Sequence, residues 1–300
     1  MKRAPMTEDH RTVQSLGVNS WGRAGLATLC LWVSASGCGP AESPAESLEL
    51  DSQTQELSSH NGVSANGLSA NGLSANGLSA NGLSANGLSA TAFVSWFNQN
   101  PGQADILMTY VVRCAVPAGQ NRSFTNPRNG RTYTWQGGLG LAPDWANGQS
   151  INSNEQQVVT ACLLAHVNRF GRHVNISVLG LNAWGHAIPF TPGELVLFDV
   201  REACFFGSLF TPNSLFFGVD RSVSNENRYL TRACGAMESG SGSPQCAPLR
   251  FVGRCSQFCT SQGSSGPFYT SCTYNGVSYR PLTTRMQESD YNEIFPGSGD

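Results

Sequence analysis

The feature that most constrains this chain is a run of six consecutive five-residue repeats in residues 61–90. Five copies read Asn-Gly-Leu-Ser-Ala, and the first copy carries Val63 in place of leucine. Such a short period is typical either of a solenoid with stacked turns or of an unfolded spacer. Each unit has one large apolar side chain, whereas its Asn and Gly favour turns and lose much conformational entropy when ordered. The repeats therefore predict a disordered tether, with a short solenoid as the alternative.

The residues before the repeats resemble a bacterial export signal. The first 23 residues carry four basic side chains against two acidic ones, and a twelve-residue apolar run follows at residues 24–35. This run is too short to span a bilayer, which is typical of a signal peptide. It ends in Ala35-Ser36-Gly37-Cys38, which resembles a lipobox, where a cysteine becomes the lipidated first residue of the mature protein. We expect a lipoprotein signal peptide at residues 1–37 and lipidation of Cys38; cleavage near Ala35 without lipidation is the alternative.

The composition divides the rest of the chain into two parts. Residues 39–60 are rich in Glu, Ser and Gln and cannot bury enough apolar surface to fold, so the expected tether covers residues 38–90. Residues 91–300, called the head below, are enough for a single globular domain with its own core. The formal net charge is −2, and neither part forms a strongly basic surface. We therefore expect no nucleic-acid partner.

Eight of the ten cysteines lie in the head, and an even number downstream of an export signal favours disulfide bonds over metal ligands. The disulfide candidates are Cys114, Cys162, Cys204, Cys234, Cys246, Cys255, Cys259 and Cys272. A zinc site built from Cys255 and Cys259, with Cys246 and Cys272, is the alternative. We expect Cys114 to bond Cys162 on a neighbouring helix. For the others we expect bonding in sequence order, namely Cys204–Cys234, Cys246–Cys255 and Cys259–Cys272.

The hydrophobic pattern of the head predicts an α+β fold. Apolar residues at helical spacing predict helices at residues 103–115 and 153–170, the second beginning with a capping box from Ser153 to Gln156. Asn-Gly pairs at residues 129–130 and 275–276 predict β-hairpins. Alternating or continuous apolar runs predict strands at residues 174–178 and 195–200 and in the aromatic stretch 205–217. We expect a two-helix core packed on a small antiparallel sheet, with a disulfide-rich C-terminal portion.

No motif in the head predicts a reaction. His166 lies on an apolar helix face, where a hydrogen-bonded core histidine is the usual interpretation and a catalytic residue is the alternative. A catalytic role would require that His166 line an open cleft together with Asp144, Asp199 or Glu202. The sequence contains no nucleophile elbow, phosphate-binding loop or dinucleotide fingerprint, so the catalytic residues are unknown and we expect no cofactor and no metal. A polysaccharide ligand would contact the scattered tryptophans Trp135, Trp145 and Trp184.

Several segments resemble a known group of proteins. These are the lipobox-like Cys38, the Asn-Gly-Leu tether, and residues 107–110, 113–117, 140–145 and 161–168. Together they resemble uncharacterised secreted lipoproteins of myxobacterial type, which combine such a tether with a disulfide-rich head. The resemblance covers residues 91–279. It implies export, a lipid anchor and cysteine pairing, but no activity.

We therefore expect an exported protein that is anchored to a bacterial membrane through lipid, with the outer membrane or the cell surface favoured. The absence of catalytic motifs favours a non-enzymatic binding or structural module, whose partner beyond the membrane would be a glycan or a protein. The alternative is a secreted hydrolase that acts on cell-wall or extracellular polysaccharide.

Overall fold

The computed structural model describes residues 58–60, 82–167, 174–221, 249–261 and 266–295. The expected signal peptide, Cys38 and the repeats before Gly82 lie outside the described residues, as do the disulfide candidates Cys234 and Cys246. All of the described residues belong to one compact unit, Leu48–Asp300. None of the helices in these residues combines the length and the hydrophobicity needed to cross a bilayer.

The described residues form eight helices and eleven strands. The helices are α1 (Ala85–Ser89), α2 (Thr91–Phe97), α3 (Pro101–Ala115), α4 (Pro143–Ala146), α5 (Ser153–Ala165), α6 (Pro192–Leu197), α7 (Cys255–Phe258) and α8 (Glu288–Ile294). The strands are β1 (Ser58–His60), β2 (Asn121–Thr125), β3 (Thr132–Gln136), β4 (Asn175–Gly180), β5 (Val200–Gly207), β6 (Leu215–Val219), β7 (Arg250–Arg254), β8 (Cys259–Ser261), β9 (Tyr269–Tyr274), β10 (Val277–Tyr279) and β11 (Leu282–Met286).

The centre of the fold is a six-stranded sheet in the order β1-β4-β11-β5-β6-β7. Its strands pair antiparallel except β6 and β7, which are parallel. Helix α5 packs on β5 and β11, and α3 packs on α5, which gives the helices and the sheet one continuous hydrophobic core. The predicted α+β fold with a disulfide-rich C-terminal part is confirmed, and the main sheet contains more strands than the small sheet that was expected.

The two faces of the sheet carry different clusters because side chains alternate along a strand. Phe205 and Phe217 belong to the core on the α5 side. Their neighbours Cys204, Phe206 and Phe216 belong to a second cluster, which includes residues of the β8–β9–β10 sheet. The C-terminal hairpins therefore close the face of the main sheet that α5 leaves open.

The capping box of helix α5 lies one residue before the predicted one, at Asn152 and Glu155. The Oδ1 atom of Asn152 accepts from the amide of Glu155 at 3.1 Å, and the Glu155 carboxylate accepts in return from the amide of Asn152 at 3.1 Å. Asn152 is therefore the N-cap, because it rather than Ser153 has a carboxylate three residues later. The helix ends at Ala165 with His166 as its C-cap, before the predicted end at residue 170.

The expected tether does not extend to Ala90. Leu83 and Leu88, from the last two repeats, are 0% and 2% exposed, and Leu88 lies in α1, which precedes α2. Strand β1, also in the expected tether, pairs antiparallel with β4. The boundary at residue 90 is wrong for residues 82–90, because their two leucines gain a core to pack in that the isolated unit lacks.

Both predicted hairpins are confirmed, and one predicted strand is corrected. The hairpins β2–β3 and β9–β10 form as expected, and Asn275 and Gly276 adopt positive φ angles of 50° and 76° in the second turn. Residues 195–200 were expected as a strand, but residues up to 197 belong to α6. Thr191 caps that helix by accepting from the amide of Glu194, and Pro192 occupies its first turn.

Three disulfide bonds lie in the described residues: Cys114–Cys162, Cys204–Cys255 and Cys259–Cys272. The first and the last agree with the expected pairing. The expected pairs Cys204–Cys234 and Cys246–Cys255 are wrong, because Cys204 on β5 bonds Cys255 at the start of α7. The parallel pairing of β6 with β7 brings Cys255 beside β5, and this long-range contact is not visible in the order of the cysteines.

Candidate functional site

The arrangement expected of a hydrolase is not formed around His166. Its side chain is 0% exposed, its Nδ1 atom lies 2.7 Å from the carbonyl oxygen of Cys162, and its ring is next to that of Tyr110. Glu202 is also buried and accepts a hydrogen bond from Thr284 Oγ1 at 2.8 Å. A catalytic role would require that His166 line an open cleft, and a fully buried histidine does not. This burial counts against a catalytic His166.

The three candidate tryptophans are in different environments. Trp145 is 0% exposed and Trp135 is 2% exposed, with its Nε1 atom donating to Asp105 at 2.7 Å. Trp184 is 57% exposed. Of the three, Trp184 is therefore the one whose ring can contact a ligand, while the others support the core.

Trp184 is exposed on a loop that is held rigidly. The Oδ1 atom of Asn182 accepts from the amides of Trp184 and His186, both at 3.0 Å, and the amide of Asn182 donates to the carbonyl of His186 at 2.8 Å. The amide of Ala183 donates to the carbonyl of Leu141 at 3.0 Å, and its side chain is buried. One Asx side chain thus closes the turn. The indole is presented to solvent in a defined place.

A buried carboxylate fixes the neighbouring residue Asp144. Glu155 is 0% exposed, and its Oε1 atom accepts from the amides of Asp144 and Trp145 at 2.8 and 2.9 Å. The same side chain caps the first turn of α5 through the amide of Asn152. The beginnings of α4 and α5 are therefore joined by one side chain, which places Asp144 and Asn152 side by side.

Asp144 connects this helix pair to the exposed indole. Its Oδ2 atom accepts from Trp184 Nε1 and from Asn152 Nδ2, both at 3.5 Å. His186 lies edge-on to the Trp184 ring, with 6.2 Å between centroids, and Arg280 Nη1 donates to the carbonyl of Asn182 at 3.4 Å. We call these five residues, Asp144, Asn152, Trp184, His186 and Arg280, the Trp184 platform.

The Trp184 platform has the chemistry of a polar-ligand binding surface. A flat aromatic face supplies apolar contact, and a carboxylate, an amide, an imidazole and a guanidinium around it offer hydrogen-bond donors and acceptors. Hydroxyl groups of a sugar can both donate to Asp144 and accept from Asn152 or Arg280. Trp184 and Asp144 were candidates from the sequence, whereas Asn182 and Glu155 were not. The signal for Asn182 is the Asn-x-Trp-Gly-His turn, and the signal for Glu155 is the Asn-x-x-Glu capping box.

A second charged cluster lies on the main sheet. Arg285 is opposite both Ser177 and Arg201 in the register of the sheet. Arg201 Nε lies 2.6 Å from Asp220 Oδ2, and Tyr269 donates to Asp220 Oδ1 at 2.5 Å. Burial raises the pKa of Asp220, while the hydrogen bond from Tyr269 and the charge of Arg201 oppose this change. Burial, together with the bond to Asp220, raises the pKa of Tyr269.

The remaining members of this cluster attach α6 to the sheet. The Glu194 carboxylate accepts from Ser177 Oγ at 2.7 Å, and burial raises the pKa of Glu194. Arg285 donates to the carbonyls of Phe198 and Asp199 at 2.6 and 2.7 Å, and burial lowers its pKa. Arg201 pairs with Asp220, Glu194 with the Ser177 hydroxyl and Arg285 with backbone carbonyls. The cluster therefore holds α6 and β9 on the sheet.

The described residues also contain a cleft of about 330 Å³ between α3 and β3. Its lining includes Thr109, Arg113, Thr134, Trp135 and Gln136. None of the residues that line it is a histidine or a carboxylate. The cleft therefore lacks the groups of an acid–base site.

Two groups of residues have sulfur or nitrogen atoms close enough to hold a metal, namely Cys114, Cys162 and His166, and Cys204, Cys259 and Cys272. All five of these cysteines are in disulfide bonds, and a metal requires free thiolates. Of the zinc ligands considered from the sequence, Cys255, Cys259 and Cys272 are bonded in the same way. The geometry favours the disulfide interpretation.

Comparison with known proteins adds information about the repeats. The GLTT repeat family model matches residues 62–89 in six copies. This match stops before the head and covers far less than half of the chain. No curated protein and no solved structure matches the chain.

Proposed function

We propose that this protein is an exported, lipid-anchored binding module whose Trp184 platform contacts a glycan. The observation that carries the proposal is the combination of a 57% exposed indole with a loop fixed by Asn182. An exposed aromatic side chain on a rigid support binds with little loss of conformational entropy. A tether that begins at a lipidated Cys38 would hold this surface away from the membrane.

A binding role is supported further by what surrounds the platform. Asp144 and Trp184 are linked by a long hydrogen bond of 3.5 Å, so a ligand hydroxyl can replace this contact at small expense. The buried His166 gives no support to the alternative of a hydrolase. A glycan is preferred over a protein ligand because the platform is one aromatic ring among polar groups rather than a broad apolar patch.

Binding is tested with the mature protein carrying Cys38→Ser, which removes the lipid, against a panel of cell-wall and extracellular polysaccharides. Trp184→Ala is expected to weaken glycan binding at least about tenfold, because aromatic anchors contribute about 1.5 kcal/mol or more. Trp184→Phe keeps a ring and should lose less. Val277→Ala, another exposed apolar side chain, is the control. Equal binding by the Trp184→Ala variant and the parent would reject the platform as the site.

The lipid anchor has its own test. When the protein is exported by a bacterial host, Cys38→Ser should move it from the membrane fraction to the soluble exported fraction, because the variant lacks the lipidated cysteine. Firm retention of the variant in the membrane fraction would show that Cys38 is not the anchor.

A further inference from the structure

Residues 82–90 occupy a defined site on the head. Leu83 and Leu88 are buried in the same core as Phe93, Phe97 and Trp145. The amide of Leu83 donates to the carbonyl of Trp145 at 2.9 Å. Residues 82–90 of the last two repeat units therefore pack as part of the fold, although the three units before them have the same sequence.

The glycine of the unit is required at this site. Gly82 has a φ of +65°, and a Cβ atom there would lie 2.4 Å from Gly148 Cα and 2.7 Å from the carbonyl oxygen of Trp145. Gly148 has a φ of +90°, and a Cβ atom there would lie 3.0 Å from Ser84 Cβ. The two backbones approach too closely for any side chain. We call the surface formed by Trp145, Gly148 and the core around Phe93 the repeat dock.

The serine and the second leucine complete the recognition. Ser84 Oγ accepts from the amide of Gly87 at 3.2 Å and caps α1, and Gly87 itself is buried. Leu88 then enters the core one turn later. The dock thus uses the glycine, leucine and serine of one unit and the glycine and leucine of the next.

The same nine-residue string, Gly-Leu-Ser-Ala-Asn-Gly-Leu-Ser-Ala, occurs four times in the chain. It begins at Gly67, Gly72, Gly77 and Gly82. Each copy carries every group that the repeat dock contacts. We propose that the repeat dock is a binding site for two consecutive repeat units, and that the upstream copies are alternative occupants within the same chain.

Exchange of occupants moves the chain in steps of five residues. When residues 77–85 occupy the dock, Gly77, Leu78 and Leu83 take the places of Gly82, Leu83 and Leu88. Residues 86–90 then form a short loop before Thr91. Its Asn-Gly pair favours a tight turn, and loop closure over so few residues is a modest penalty. Each step shortens the segment between β1 and the dock by at most about 17 Å, so the proposal changes the length of this connection and leaves β1 on the sheet.

The test asks whether the upstream copies can replace residues 82–90 in the dock. Leu88→Ala is made in the native chain and in a second chain, called the disabled chain, whose upstream copies carry Leu68→Ala, Leu73→Ala and Leu78→Ala. In the native chain, residues 77–85 still carry both leucines and can replace the damaged copy. The melting temperature should therefore fall less in the native chain than in the disabled chain, by on the order of 5 °C. The three upstream changes alone should leave it unchanged.

Equal falls in the two chains would overturn the proposal, and so would failure of the native-chain Leu88→Ala protein to fold. The proposal is supported if the native chain with Leu88→Ala folds and the disabled chain with Leu88→Ala does not. Hydrogen exchange gives a second measurement in the native-chain variant: residues 77–80 should become protected and residues 86–90 should lose protection. Unchanged exchange at residues 77–80 would contradict a change of register.

Light scattering shows whether the segment in the dock comes from the same chain or from a second copy of the protein. The native-chain Leu88→Ala protein should remain monomeric, with a melting temperature independent of protein concentration. A rescue seen only in a dimer would show that the repeats exchange between molecules, and it would overturn the same-chain proposal.

Discussion

Replacement of Glu155 by alanine tests whether one carboxylate holds the Trp184 platform and α5 together. Its side chain is fully buried and accepts from three amides, those of Asp144, Trp145 and Asn152, at 2.8, 2.9 and 3.1 Å. Glu155→Ala removes all three hydrogen bonds and leaves the buried amide of Trp145 without the carboxylate. Each lost bond to a charged acceptor is expected to destabilise the fold by about 1.5 kcal/mol. The expected loss in the free energy of unfolding is about 4 kcal/mol, since some amides will bind water.

The measurement is thermal and urea unfolding of the mature protein with Cys38→Ser. For a domain of this size, the loss corresponds to a fall of about 12 °C in the melting temperature. Glu155→Gln keeps one carbonyl oxygen and should lose about half as much. Glu288→Ala is the control, because Glu288 is also in the first turn of a helix but is exposed. It should lose less than about 1 kcal/mol.

A loss for Glu155→Ala no larger than that for Glu288→Ala would refute the reasoning. It would mean that the three amides find other partners, or that the beginning of α5 is held by something other than this carboxylate. Glu155→Ala should also weaken glycan binding, because Asp144 would no longer be fixed beside Trp184.

Three further outcomes follow from the described contacts. Burial raises the pKa of Glu194, so its contribution to stability is full below the unfolded pKa and is lost as pH rises through the folded pKa. Glu194→Gln should therefore be more stable than the parent at about pH 7 and equal to it at about pH 4 in urea unfolding; a difference independent of pH would contradict this. Non-reducing peptide mapping should recover Cys204 bonded to Cys255, and a bond from Cys162 to any C-terminal cysteine would be inconsistent with the fold. Gly207→Ala should lose about 3 kcal/mol in urea unfolding or fail to fold, because φ is +130° and a Cβ atom would lie 1.9 Å from the Ser214 carbonyl oxygen. Gly130→Ala, at a φ of +72° with nothing within 4 Å, should lose only about 1 kcal/mol; equal losses would remove close packing as the cause.

The parts of the fold that follow from local pattern could be predicted from the sequence. The apolar spacing that predicted the helices at α3 and α5 is set by neighbouring residues, and the Asn275-Gly276 turn needs only its own positive φ angles. The Cys114–Cys162 bond joins those two helices. For the helices and the turn, the signal and the structure lie within the same short segment.

The parts that depend on distant contacts could not be predicted in the same way. Cys255 reaches Cys204 only because β7 pairs in parallel with β6, and no local feature of the cysteines shows this. Trp135, Trp145 and Trp184 likewise differ in what packs around them and not in their residue type. The error at α6 is different, since Thr191-Pro192-Gly193-Glu194 is a local helix start that the apolar run obscured.

The docked repeats show why the sequence of a unit does not by itself determine its structure. One unit alone offers Leu83 no core to pack in, so the burial of Leu83 must come from what lies next in the chain and across from it. Helix α2 follows Ala90 directly, and the carbonyl of Trp145 receives the amide of Leu83. The unit alone predicts a tether, and the unit beside this surface becomes part of the core.

Helix α4 links the repeat dock to the Trp184 platform. The amide of Trp145 donates to Glu155, its carbonyl accepts from Leu83, and the preceding residue Asp144 accepts from Trp184. These contacts belong to adjacent residues of one short helix, so a shift of α4 must affect both sites. The occupant of the dock and the ligand of the platform therefore act on the same element. Glu155→Ala should lower the stability gained from the docked repeats and the affinity for glycan together, whereas Trp184→Ala should change only the affinity.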